Sequence, residues 1–301
     1  MDTTMDVHLI DGTYELFRHY YALPSYTDEL GREVGAVRGV LNSLLTLLEE
    51  GATHVGVATD HVVESFRNEL YDGYKTGEGI EKPLRSQFEI LEEVLESTGF
   101  MVWPMVEYEA DDALATVAAL ADEDNRVEQV WICSPDKDLA QCVRGQRVMQ
   151  LDRRRNISFD ENDIKKKFGV LPESIPDYLA LAGDSADGFP GVKGWGALSS
   201  AIVLSTYRHL ENIPALAKNW SVKVRGAEKL ANTLQKEFDR ALLFRHLATL
   251  VTDVSDLGNI NELKWTGSRK SFEQLCDVIN IPGAIERVTK LVNKVKSPAR
   301  K

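Results

Sequence analysis

The chain has 301 residues, 43% of them hydrophobic and 27% charged, and a formal net charge of −12. This composition fits a globular protein with room for two lobes and excludes fibrous or low-complexity classes. The acidic start MDTTMDVHLIDG lacks the basic-then-apolar order of a secretory leader, and no apolar run is long enough to cross a bilayer.

Three widely spaced cysteines, Cys133, Cys142 and Cys276, form no C-x-x-C pair. They argue against a disulfide framework or a thiolate zinc site and favour a reducing cytoplasm. The charge is unevenly placed. Residues 1–150 carry 11 Lys and Arg against 29 Asp and Glu, whereas residues 151–301 carry 24 against 18. An acidic half suits hard cations and a basic half suits phosphates, although solubility alone also spreads charge unevenly.

In chain order, VHLI (7–10) predicts a strand and VRGVLNSLLTLLEE (37–50) a helix. HVGVAT (54–59) is again strand-like, and SQFEILEEVLESTGF predicts a helix ending near Gly99. FMVW (100–103) precedes a helix in which Leu114, Val117, Ala118 and Ala121 share one face; QVWICS (129–134) is a further strand. Helices alternating with apolar strands imply an α/β fold with a mostly parallel central sheet flanked by helices. From about Ser174 the pattern is helical with glycine punctuation at 183–196. The expected division is therefore an α/β domain over 1–173 and a helical domain over 174–301. The end, KLVNKVKSPARK, is basic, and its last residues are expected to fray.

The acids gather where such a sheet would bind ligands. Asp11 and Asp60 close two strands, Asp136 and Asp138 follow a third, and Glu109, Asp111 and Asp112 open the helix after FMVW. In a parallel sheet these strand ends share one edge. Any one of the acids reads as a cap or turn residue, and acids in a first helical turn also suit the helix dipole. Seven together would repel one another, a conflict that a divalent cation removes. Oxygen ligands without nearby His or Cys point to magnesium or manganese rather than zinc. Two such ions held by clustered carboxylates serve phosphoryl chemistry, one activating water and the other stabilising the leaving oxygen. If 136–138 is extended, Asp136 and Asp138 face one way; Asp184 and Asp187, three apart, fit one helical turn. Gly191-Val192-Lys193-Gly194-Trp195-Gly196 is either a tight interhelical connection or a backbone surface for an anion. The six histidines show no catalytic or zinc spacing and read as structural.

LIDGTYELFR, VATD with SFRNELYDGYK, YEADD, SPDKDL and AGDSADGFPGVKGWG occur in the order and spacing of the bacterial and phage 5′-nucleases. This family comprises flap endonucleases and the 5′–3′ exonuclease domain of DNA polymerase I. The chain resembles it from about Val7 to about Val254, through DRALLFRHLATLVTDV; the last 45 or so residues carry no motif. The resemblance implies that Asp11, Asp60, Glu109, Asp111, Asp112, Asp136, Asp138, Asp184 and Asp187 hold two or three Mg²⁺ or Mn²⁺ ions. It implies that Arg18 and Lys75 contact the scissile phosphate and that Tyr74 stacks on a base. An arch for a single-stranded 5′ end is expected near 74–86. A helix–hairpin–helix (H3TH) motif near 183–205 would grip duplex backbone through Gly191, Val192, Lys193, Gly194 and Gly196, with K⁺ on its carbonyls.

Three positions depart from the family pattern. Glu78 stands where a basic residue is usual, Leu198 where a lysine is frequent, and Gly188 where Asn is common; weaker DNA affinity is expected. Arg153–155 and Lys165–167 are candidate replacement clamps, or solvated faces. With no polymerase segment in the sequence, the protein reads as a freestanding, structure-specific 5′–3′ exonuclease or flap endonuclease, with a monomer favoured. DNA with a 5′ flap is the expected partner, an RNA–DNA hybrid a further one, and a membrane none. A non-catalytic DNA-junction-binding protein and a related ribonuclease are the alternatives.

Overall fold

The computed structural model describes residues 5–296; the expected fraying of the last residues falls outside that range. It divides into two compact units, each built from separate stretches of chain. The first contains residues up to Val63, Gly77–Cys133 and the chain from Thr252, and the second contains Glu64–Thr76 and Ser134–Val251. The expected boundary after residue 173 lies inside the second unit. Among the described residues no helix is long and apolar enough to cross a membrane.

The first unit is built on four parallel strands, β1 (Met5–Asp11), β2 (His54–Asp60), β3 (Met101–Met105) and β4 (Val127–Cys133), in the order β3-β2-β1-β4. β2 is buried along both faces up to Asp60, as a strand covered by helices on each side must be. Gly56 lies against the Trp103 ring, with no room for a Cβ. Helices Gly12–Ala22, Gly35–Glu49, Phe88–Thr98 and Ala110–Glu123 connect and cover the strands.

The motif-free C-terminal stretch belongs to this unit by packing. The Trp265 amide donates to the Thr53 carbonyl at 2.8 Å, and its indole N–H donates to Thr98 O at 2.9 Å. Trp103 Nε1 donates to Leu257 O at 3.0 Å. On the final helix, Ala284–Lys296, Arg287 makes two hydrogen bonds of 2.7 and 2.8 Å to the Glu49 carboxylate. Such bidentate pairs fix geometry as well as adding energy.

The second unit carries a short antiparallel hairpin, β5 (Val148–Asp152) and β6 (Ile157–Phe159), and helices that begin at Glu161, ahead of the expected onset. Its core collects Leu179, Leu181, Phe189, Trp195, Trp220 and Phe244, with Phe189 stacked on Phe244 at 5.4 Å. The Glu64–Thr76 stretch is anchored there by Arg67, 1% exposed, whose Nε donates to Leu247 O at 2.8 Å and Nη2 to Thr249 O at 3.1 Å.

Candidate metal centre

In the first unit, register places the acids. Asp11 on β1 pairs with Ala58 on β2, two residues before Asp60, and Asp60 pairs with Met105 at the end of β3. The strands therefore deliver Asp11, Asp60 and, four residues past Met105, Glu109 to one edge. Three of the acids have a structural duty. Asp11 Oδ1 accepts the Tyr14 N–H at 2.8 Å and caps helix Gly12–Ala22. Asp60 Oδ1 accepts the Ala110 N–H at 2.9 Å, and the Asp60 amide donates to Thr13 Oγ1 at 2.8 Å. Asp112 Oδ2 accepts the Glu109 N–H at 3.0 Å. Glu109 and Asp112 are buried and Asp111 is half-buried. Capping and metal binding are compatible, because an ionised carboxylate has more lone pairs than one cap uses. These five acids are not drawn into a tight group of three among the described residues. Arg18 pairs with the buried Glu15, and its Nη2 lies 3.0 Å from His19 Nε2.

The second unit does form such a group. Asp138, Asp184 and Asp187, all buried, each bring one carboxylate oxygen within 4.8 Å of the others. Two local expectations are corrected. β4 ends at Cys133, so residues 136–138 are not extended strand; Asp138 starts a 3₁₀ turn and is 6% exposed, whereas Asp136 is open to solvent. The Asp138 amide donates to Asp136 Oδ1 at 2.9 Å. Asp184 and Asp187 do not sit on a helical turn either. Helix Ile175–Ala182 has ended, and Asp184 and Phe189 close a loop by exchanging backbone hydrogen bonds of 2.8 and 3.0 Å. Within the loop, Asp184 Oδ1 accepts the N–H groups of Ala186 and Asp187. Gly188 has φ 87°, and a Cβ there would lie 2.1 Å from the Gly73 carbonyl oxygen. The departure at Gly188 is thus a backbone requirement of this loop.

The electrostatics favour a cation. Asp138 Oδ1 is buried with no hydrogen-bond partner among the described residues. Burial, and then the charges of Asp136 and Asp187, push the Asp138 carboxyl well above the ordinary carboxylate range. Two lysines partly compensate: Lys75 Nζ is 3.0 Å from Asp187 Oδ1, and Lys137 Nζ is 2.5 Å from Asp184 Oδ1. An all-oxygen set with an orphaned buried oxygen fits a hard divalent ion. Lys137 was missed in the sequence reading, although it stands between Asp136 and Asp138.

Tyr74 corrects another expectation. It is 4% exposed and belongs to the second unit's core, so its ring packs the protein rather than offering a face for a base. Lys75 beside it is held by its backbone, N–H to Asp187 O at 3.0 Å and C=O from Asn68 Nδ2 at 2.9 Å.

In the glycine-rich turn, Val192 and Trp195 are buried anchors, and the Trp195 N–H donates to Val192 O at 3.0 Å. Lys193 and Gly194 form the exposed tip, Gly191 and Gly194 have positive φ, and Gly196 precedes helix Ala197–Tyr207. Leu198 is 75% exposed at the start of that helix. Among the candidate clamps, Arg154, Arg155 and Lys165–167 are exposed; Lys166 pairs with Asp163, and Lys167 lies over the Phe159 and Phe168 rings.

The first unit thus has a parallel sheet with acids at its strand ends, and the second gathers three buried aspartates with two lysines paired to them, an all-oxygen set that suits a divalent cation. The model of the 5′-3′ exonuclease N-terminal, resolvase-like domain matches residues 6–169, and that of the 5′-3′ exonuclease C-terminal SAM fold matches residues 170–271. The chain belongs to the 5′-3′ exonuclease family and is a nuclease. It is 34% identical over 250 residues to a 5′-3′ exonuclease of Buchnera aphidicola subsp. Baizongia pistaciae, covering 82% of each chain. It is also 35% identical over 256 residues to DNA polymerase I of Pseudomonas aeruginosa, covering 82% of this chain but 27% of the polymerase. The bacteriophage T5 D15 flap endonuclease, solved in a pseudo-enzyme-product complex with DNA and metal ions, shares the fold. The TM-score is 0.64 at 16% identity, over 98% of this chain and all of that one.

Proposed function

We propose that the protein hydrolyses phosphodiester bonds near junctions of single- and double-stranded DNA, releasing 5′ flaps or short 5′ products, including RNA primers paired to DNA. The buried, unpartnered Asp138 Oδ1, inside a group of three aspartates, is the observation that carries this reading. Asp136, Asp138, Asp184 and Asp187 would hold metal in the second unit, and Asp11, Asp60, Glu109, Asp111 and Asp112 in the first. Magnesium or manganese, when bound, supplies an activated water and charge stabilisation at the leaving oxygen.

The chain's own groups do the rest. Lys75, fixed through its backbone, presents an ammonium to the scissile phosphate, and Arg18 supplies a second cation. Exposed Lys193 and the backbone N–H groups from Gly191 to Gly196 would grip duplex phosphates, with K⁺ on the turn's carbonyls. Contacts of that kind read shape rather than sequence. Three buried, free cysteines fit action in a reducing cytoplasm.

Turnover on a panel of substrates tests the reading: a 5′-flapped duplex, a blunt duplex, a flap whose 5′ strand is RNA, and free single-stranded RNA. The flapped substrates should be cut fastest, beside the junction. Preference for free RNA would contradict the assignment.

A further inference from the structure

We propose that Lys137 sets how tightly the Asp138, Asp184 and Asp187 group takes up a divalent cation, by holding Asp184 Oδ1 as an internal counter-charge that competes with the ion. The inference rests on the reading that these three aspartates bind metal.

Asp184 is 2% exposed, and its Oδ1 accepts three donors: Lys137 Nζ at 2.5 Å and the N–H groups of Ala186 at 2.9 Å and Asp187 at 3.3 Å. An ionised carboxylate has about four lone-pair sites over its two oxygens, so this oxygen is saturated. An ion drawing on it must displace a donor. The two N–H groups are fixed by the loop, so the lysine is the donor that can leave. An ion drawing instead on Asp184 Oδ2 would sit close to the ammonium and be repelled by it. Either way the lysine weakens uptake. It also compensates a buried carboxylate that would otherwise be costly, so it should support the fold in the absence of metal.

The residue type suits exchange. Lysine is a compact charge on a flexible four-carbon stem, whereas arginine's planar fork commits to fixed geometry. The Lys137 side chain is 33% exposed, so it can withdraw into solvent. Lys75 makes a similar pair with Asp187 at the same side-chain exposure, but it is the lysine assigned above to the scissile phosphate, so its removal would not isolate the counter-charge effect.

Calorimetric titration of the full chain with Mn²⁺, without DNA, together with melting in chelator, tests the proposal. Lys137→Met should bind Mn²⁺ at least about tenfold more tightly than the parent, a change of roughly 1.4 kcal/mol, and should melt at a lower temperature in chelator. Lys137→Arg, which keeps the charge, should retain the parent's weaker binding, and Lys229→Met, remote in sequence and exposed, should match the parent. Lys137→Gln replaces the methionine variant if that one does not fold. Unchanged or weaker Mn²⁺ affinity on removing the charge would overturn the proposal. Asp184→Asn separates the two levels of the argument. If it leaves both the number of Mn²⁺ ions bound and their affinities as in the parent, the three aspartates do not bind the ion and the underlying reading fails. If it weakens binding while Lys137→Met changes nothing, only the role of Lys137 fails.

Discussion

Asp60 Oδ1 accepts the backbone N–H of Ala110 at 2.9 Å, so the carboxylate that ends β2 also stabilises the start of the acidic helix Ala110–Glu123. On the proposed reading one residue serves fold and site together, and two substitutions separate the duties. Asp60→Asn keeps an acceptor for the amide and loses the charge. Asp60→Ala loses both, at a cost of about 1 kcal/mol for the missing hydrogen bond. Both should lose cleavage by more than the ~100-fold that removal of an outer partner of a ligand costs. Only the alanine variant should show the lower denaturation midpoint.

Asp112 is fully buried, and its Oδ2 accepts the Glu109 amide at 3.0 Å. Asp112→Asn can keep that bond through its amide oxygen, so the variant should fold with at most about 1 kcal/mol lost. Its cleavage should vanish. Circular dichroism melting alongside a cleavage assay decides the matter, and retained activity would remove Asp112 from the metal set.

Arg67 lies within SFRNELYDGYK, where a basic residue invites a role toward DNA. Its burial and its bonds to the Leu247 and Thr249 carbonyls give it a structural one. Arg67→Met should cost about 3 kcal/mol, because buried acceptors lose a charged donor. A denaturant titration should show the shift. A raised KM at unchanged stability would instead mark a substrate contact.

His54 is 8% exposed, and burial, followed by the charges of Lys264 and Arg126, lowers its pKa from the ordinary 6.5. The unfolded chain therefore takes up this proton before the folded chain does. The stabilisation from the neutral ring is fully present above pH 6.5 and is lost as pH falls through the lowered folded value. Between pH 6.5 and 5, the parent's melting temperature should fall more steeply than that of His54→Gln.

The sheet and the strand-end positions of Asp11 and Asp60 were legible because apolar periodicity and strand-end position are local properties. β2 announces itself in HVGVATD, and Asp60 falls at its end as expected. What local spacing did not reveal was conformation between elements. Asp184 and Asp187 looked like one helical turn, but Gly183 and Gly188 at positive φ bend the chain into a closed loop. Tyr74 was expected to stack on a base because of the family resemblance, yet the core around Phe189 and Phe244 claims it. The last 45 or so residues carry none of the quoted motifs, and their tie to the first unit runs through single side chains such as Trp265 and Arg287, which no periodicity discloses. Lys137 was in plain view between two acids, and only the fold pairs it with Asp184, 47 positions on.

The most direct test of the central claim is to incubate the full chain with a 5′-labelled flap duplex, in Mg²⁺, in Mn²⁺ or in chelator, and to resolve the products by length. The account predicts an ion-dependent cut beside the junction and none in chelator. Tight binding without a cut in either ion, or a cut that persists in chelator, would contradict it.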